Sequence, residues 1–170
     1  MAKRILQLVS EDFEDLELWY PVHRLREEGC VVDIAGEKAG VTHHGKYGAP
    51  CESNVSWDDV DPADYDGLLV PGGWAPDKLR RYPKVLGIVR DMNAEGKVVG
   101  EICHAGWVLI SAGILDGRTV TSTPGIRDDM TNAGATWVDE PSVVDANLVS
   151  ARRPPDLGAY MKDYIRVLGL

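Results

Sequence analysis

Apolar residues in this chain come in short runs separated by amphipathic stretches and turns. Residues 4–9 (Arg-Ile-Leu-Gln-Leu-Val) read as a first strand, and residues 31–35, rich in β-branched side chains, as a second. Between them a helix is predicted from Phe13 or Glu14 to Glu28. It has Leu16, Trp19, Val22 and Leu25 on its inner face, and Pro21 inside it implies a kink or a later start. Residues 40–57 are punctuated by Gly40, Gly45, Gly48 and Pro50 and predict an irregular surface hairpin. Residues 67–70 (Gly-Leu-Leu-Val) form a third buried strand, 83–94 a helix with Val85, Ile88, Val89 and Met92 inward, and Val98-Val99 a fourth strand. Residues 107–112 are helical, and 118–122 and 147–150 are strands. Brief strands are expected at Trp137-Val138 and Val143-Val144, and a short helix over 126–133. The last helix, 156–168, buries Leu157, Tyr160, Met161, Tyr164, Ile165 and Leu168. Strands alternating with helices predict an α/β fold: a doubly wound, mostly parallel sheet sandwiched by helices, in a single domain over residues 1–170.

The pattern singles out the junction Val99-Gly100-Glu101-Ile102-Cys103-His104-Ala105-Gly106-Trp107. A buried strand turns there sharply into a helix, the arrangement of a nucleophile elbow. Cys103 occupies the turn, where the N-terminal end of the following helix favours a thiolate, and His104 is the neighbouring base. The alternative is an inert buried thiol. Val70-Pro71-Gly72-Gly73 ends the third strand on the same side of the sheet, where backbone N–H groups can face a developing negative charge. Thr123-Pro124-Gly125 turns at that end too.

Composition narrows the classes. The net charge of −9, from 18 basic and 27 acidic residues, leaves no basic face for nucleic acid. No apolar run approaches membrane-spanning length, and the first strand follows the N-terminus without an apolar targeting segment. The expectation is a cytoplasmic protein with no membrane partner. Cys30, Cys51 and Cys103 are odd in number, lack metal-site spacing and read as free thiols. The pair His43-His44 has no further ligand at matching spacing, so neither a metal nor another cofactor is expected.

Several segments together resemble one family. They are Phe13-Glu14-Asp15-Leu16-Glu17-Leu18-Trp19-Tyr20-Pro21, Leu25-Arg26-Glu27-Glu28-Gly29, Val70-Pro71-Gly72-Gly73, Ile102-Cys103-His104, Leu109-Ile110-Ser111-Ala112-Gly113 and Pro124-Gly125-Ile126-Arg127-Asp128-Asp129-Met130. In this order they resemble the PfpI-type intracellular cysteine protease family of the DJ-1/ThiJ/PfpI superfamily, which shares its fold with class I glutamine amidotransferases. The resemblance implies Cys103 as nucleophile, His104 as its proton partner, and the amides of Gly73 and His104 as an oxyanion hole. It implies Glu17 as a protonated carboxyl beside the sulfur, and Asp77 as a carboxylate reaching the His104 of a neighbouring subunit. Taken without it, Glu17 is a solvated helix carboxylate and Asp77 a helix N-terminal acid. Two departures stand out: Asp77 occupies a position where the family has Glu, and Ala105-Gly106-Trp107 replaces a Gly-Pro after the Cys-His pair, so that Trp107 narrows the pocket.

The implied activity is hydrolysis of peptides, or of reactive 2-oxoaldehydes and their protein adducts, in stress protection. The alternative is a non-enzymatic redox-sensing or chaperone-like protein using Cys103. A homodimer or higher homo-oligomer is expected, with Trp74 and Tyr82 as exposed aromatics near Asp77.

Overall fold

The computed structural model describes residues 2–170. Its centre is a seven-stranded sheet. β1 (Arg4–Leu8), β2 (Val31–Gly36), β5 (Val55–Ser56), β6 (Gly67–Val70), β7 (Val98–Ile102), β10 (Ser142–Asp145) and β11 (Leu148–Ala151) lie in the order β10-β11-β7-β6-β1-β2-β5. All neighbours are parallel except β10, which runs antiparallel to β11. β6 and β7 are buried along their whole length, as strands covered by helices on both faces must be. The chain leaves β1 toward β2 on one side and later fills β6 and β7 on the other. The strand order therefore reverses beside β1, and ligands bind at such reversals, beyond the carboxyl ends of the strands.

α1 (Asp15–Glu27) packs on α6 (Leu157–Leu168). α3 (Pro83–Ala94) packs on α4 (Gly106–Ala112), which also meets α2 (Ala75–Leu79) and α5 (Arg127–Asn132). The inward faces read for α3 and α6 are the observed ones: Val85, Ile88, Val89 and Met92, and all six residues named for the last helix. Tyr160 and Tyr164 lie fully buried over Gly100, where a Cβ would meet Tyr164 at 2.9 Å.

Four expectations change. α1 is one helix with Pro21 inside it, and Leu16 is 57% exposed. The inner stripe is Leu18, Pro21, Val22 and Leu25, at spacings of three and four, with Glu17 beside it. A carboxylate on the buried face displaced the apparent register by one residue or more. Second, β8 (Thr119–Val120) does not join the central sheet; it pairs in parallel with β9 (Thr136–Trp137). The Thr121 amide is taken by the Ser150 hydroxyl at 3.0 Å and the Thr119 amide by the Asp145 carboxylate at 2.6 Å, so side chains of β10 and β11 replace the ladder. Third, α2 is a helix that the apolar pattern did not predict, and Asp77 lies in its first turn, where the sequence allows a helix N-terminal acid. Fourth, Tyr82 is half-buried, its ring 4.9 Å from that of Trp57, and only Trp74 is an exposed aromatic there.

The hairpin of 40–57 is real: β3 (Thr42–His44) pairs antiparallel with β4 (Pro50–Glu52). Strand alternation sends His43 inward and His44 outward. Among the described residues no group of three or more His, Cys, Asp or Glu is placed to hold a metal ion, and no helix is long and apolar enough to cross a membrane.

Candidate active site

β7 ends at Ile102, and the chain turns at once. Cys103 has φ +63°, the left-handed region that side chains with a Cβ avoid. This single strained residue aims the thiol away from the strand axis, and backbone strain of this kind gathers at functional sites. The Cys103 carbonyl accepts from the Thr123 amide at 3.3 Å, which ties the 123–125 turn to the elbow. Cys103 Sγ lies 3.3 Å from His104 Nδ1, so adjacent residues do converge.

The Gly72-Gly73 turn after β6 is required by close packing. At Gly72 a Cβ would meet Glu17 Oε2 and, at 2.7 Å, the Cβ of Cys103. Gly73 has φ +74°, and a Cβ there would sit 2.7 Å from the Phe13 carbonyl carbon. With both glycines in place, the amides of Gly73 and His104 face the Cys103 sulfur and favour its negative charge. These are the two amides that the resemblance implies for an oxyanion hole, and they come from two separate strand ends.

Glu17 stands in the first turn of α1. Glu14 caps that helix, its carboxylate accepting from the Glu17 amide at 2.8 Å, and so fixes where Glu17 points. Glu17 is 1% exposed, which removes the solvated-carboxylate reading. Burial, and then the charge of Glu14, push its carboxyl up to about 8. Cys103 and the Gly72 amide oppose this without either carboxyl oxygen gaining a partner at full hydrogen-bond geometry. Glu17 is therefore protonated at neutral pH and can act as a donor beside the sulfur.

The thiol departs from expectation. Cys103 is pushed up to about 12, by burial first and by the charge of Glu17 second, with the His104 and Gly73 amides opposing. Two features explain why no ready thiolate forms. Cys103 is only 8% exposed, and a 3-10 turn over Cys103–Ala105 separates it from α4, which begins at Gly106. Glu17 carries its charge only above pH 8, so below that pH burial alone holds the thiol neutral. The resting pair is a neutral thiol and an imidazole that burial also holds below its ordinary value. Attack from this resting state needs the thiol proton to leave, and His104 Nδ1, 3.3 Å from the sulfur, is a base within reach.

Asp77 lies in α2, and its carboxylate pairs with Arg81 one turn on. Within one chain it does not join His104, whose ring is instead contacted by Cys103, Trp74 and Trp107.

Glu101 belongs to this region and was not singled out by motif. It is fully buried on β7, two residues before Cys103, and neither carboxylate oxygen has a hydrogen-bond partner. Burial, then the charge of Glu17, raise its pKa well above the carboxylate range, with the Gly106 amide opposing, so it is held neutral. The readable signal was the acid itself, inside the apolar strand Val98-Val99-Gly100-Glu101-Ile102.

The other cysteines are Cys51, buried and pushed up to about 11, and Cys30, buried and raised by desolvation. Cys103 alone has a base at 3.3 Å. Iodoacetamide at pH 7 followed by peptide mapping should label Cys103 first; equal or faster labelling of Cys30 or Cys51 would contradict this.

Comparison with known proteins identifies the family. The model of the DJ-1/PfpI family matches residues 3–167. Deglycase PfpI of Pyrococcus furiosus is 48% identical over 165 residues, covering 97% of this chain and 99% of that protein. Protein/nucleic acid deglycase 2 of Escherichia coli is 40% identical over 171 residues, covering 99% of each. Among solved structures, Drosophila melanogaster DJ-1beta superposes with a TM-score of 0.92 at 25% identity, covering all of this chain and 92% of that one. A two-domain protein of Anabaena variabilis, with DJ-1/ThiJ/PfpI-like and ferritin-like domains, gives 0.96 at 33% identity. The match covers 98% of this chain and 48% of that longer one. A family model that matches residues 3–167, together with relatives 40–48% identical over nearly the whole of both chains, leads to one assignment: the chain belongs to the DJ-1/PfpI family.

Proposed function

We propose that this chain is a cysteine-dependent hydrolase of the deglycase type, acting in the cytoplasm on 2-oxoaldehydes such as methylglyoxal and on their protein adducts. The observation that carries the reading is Glu17: a buried carboxyl against Cys103 that holds its proton up to about pH 8. Peptide hydrolysis needs a nucleophile, a base and an oxyanion hole. Conversion of a 2-oxoaldehyde also needs a group that moves a proton between adjacent carbons, and a carboxyl titrating near the working pH suits that task.

The steps follow from the geometry. His104 takes the thiol proton as Cys103 adds to the aldehyde carbon, and the oxygen receives the carbonyl electron pair facing the Gly73 and His104 amides. Glu17 gives its proton to that oxygen, then as a carboxylate takes the proton from the thiol-bearing carbon and delivers it to the neighbouring carbon; His104 passes the thiol proton to the neighbouring oxygen, and the first hydroxyl returns its proton to Glu17, which leaves a thioester. Water hydrolyses the thioester to a 2-hydroxy acid and returns the thiol. With a protein adduct, the amine is released before the thioester forms. No cofactor is consumed. The redox-sensor alternative is disfavoured by a thiol that is buried and neutral, since oxidation tracks thiolate character and exposure.

The test compares methylglyoxal and a methylglyoxal-modified arginine peptide with a panel of fluorogenic peptides. Expected are a 2-hydroxy acid and unmodified arginine by NMR, lost in Cys103→Ala, with kcat/KM falling above about pH 8 as Glu17 loses its proton. Efficient cleavage of unmodified peptides with no 2-hydroxy acid would return the chain to the protease reading.

A further inference from the structure

Two indoles contact the imidazole of His104. Ring centroids are 5.4 Å apart for Trp74 and His104, with planes at 40°, and 5.1 Å for His104 and Trp107, with planes at 55°. Trp107 is itself held at several points. Its Nε1–H donates to Asp129 Oδ2 at 2.8 Å, and the Arg80 guanidinium stands 5.7 Å over its ring. Arg80 is in turn anchored by its Nε–H to Ser111 Oγ at 2.9 Å. Trp74 is fixed through its backbone: its amide donates to the Asp12 carbonyl at 2.8 Å, at the turn that leads into α1. The residue that should orient His104 by a hydrogen bond, Asp77, pairs with Arg81.

We infer that Trp74 and Trp107 form an aromatic clamp that fixes the His104 ring against Cys103 and stabilises the imidazolium formed when His104 accepts the thiol proton. In that step the S–H bond breaks, its electron pair stays on sulfur, and the proton moves to Nδ1 over the 3.3 Å contact. The new positive charge then lies within about 6 Å of two aromatic rings, the range in which a ring quadrupole attracts a cation. The charges around it are mixed. The thiolate and any ionised Glu17 favour the imidazolium, whereas burial and Lys46, in the loop between β3 and β4, oppose it. Asp129 and Arg80, of opposite charge, both contact Trp107. The two indoles thus supply part of what a carboxylate supplies in a triad, a fixed ring plane and a compensated positive charge, but no hydrogen bond to the ring. They touch His104, so they are positioning residues.

This rests on Cys103 and His104 as nucleophile and proton acceptor, and does not depend on which substrate is used. The experiment therefore reads Cys103 alkylation and the His104 NMR titration in Trp74→Leu, Trp107→Leu and Trp107→Phe, with turnover measured separately. Each leucine variant should lower the alkylation rate at pH 7 about tenfold, the size of one partly desolvated cation–π contact, and should lower the His104 pKa. Trp107→Phe should keep both within about threefold of wild type, because a ring face remains. Wild-type alkylation rates and His104 titration in both leucine variants would overturn the clamp. Trp74 is 55% exposed, so Trp74→Leu keeps the test decisive if Trp107→Leu fails to fold. Slowed alkylation in a protein that turns over no 2-oxoaldehyde would leave the clamp standing and defeat the proposed substrate class.

Discussion

Glu17→Gln should cut turnover by about 10²–10⁴-fold, the usual contribution of a general acid or base, while making the protein more stable at neutral and alkaline pH. The stability gain follows from the same burial that suits Glu17 to catalysis. In the unfolded chain this carboxyl titrates near 4.5; in the fold it titrates at about 8. The folded state therefore binds the proton more tightly. Below pH 4.5 the group is neutral in both states and folding costs nothing on its account. As pH rises from 4.5 to 8 the unfolded chain gains a free carboxylate that the fold cannot accommodate, and stability declines. Above pH 8 the loss is complete, on the order of 5 kcal/mol for a displacement of this size. Glutamine has no such titration. Urea unfolding at pH 5, 7 and 9 should show a gap between variant and wild type that is small at pH 5, grows through pH 7 and levels off above pH 8. Parallel stability curves would show that Glu17 is ionised in the fold and is not the acid assigned here.

The same residue shows where sequence reading reached and where it stopped. Apolar periodicity finds α3 and α6 to the residue because nothing polar interrupts their inner faces. In α1 it chose Leu16, which is exposed, over Leu18 and Pro21, because the inner face carries Glu17. Cys103 was legible from a β-branched run meeting a small-residue turn, and the family resemblance assigned the two amides that face it. The electrostatics were not legible. A thiol at the start of a helix reads as activated, but its burial and the intervening 3-10 turn are tertiary facts. Nor can spacing show that Trp74, thirty positions before His104, lies against that ring. Glu101 was visible as an anomaly, but its meaning depends on Glu17 arriving from another element.

Asp77→Ala should lose most turnover, and mixing it with Cys103→Ser should restore part of it. Asp77 carries a half-exposed carboxylate on the first turn of α2, pairs with Arg81 through Oδ2, and makes no contact with its own His104. Its other oxygen is left for a neighbour. Trp74, three residues before it, is exposed over a large apolar ring, as suits an interface. His104 Nδ1 already faces Cys103, so a carboxylate from a second subunit would accept from Nε2–H and fix the tautomer, a task that contact with two tilted indoles cannot perform. The two devices are complementary: the clamp sets the plane of the ring and the carboxylate its proton. In a two-fold assembly the two patches meet reciprocally, so a mixed dimer holds one site with both Cys103 and the partner's contribution intact. Random one-to-one mixing should then recover about one quarter of wild-type activity from two nearly inactive parents. Activity per subunit should also fall on dilution below the dimer dissociation constant. Mixed dimers verified by mass spectrometry but without regained turnover, or a monomer with full activity, would make each chain's site self-sufficient and leave Asp77 as a helix N-terminal acid.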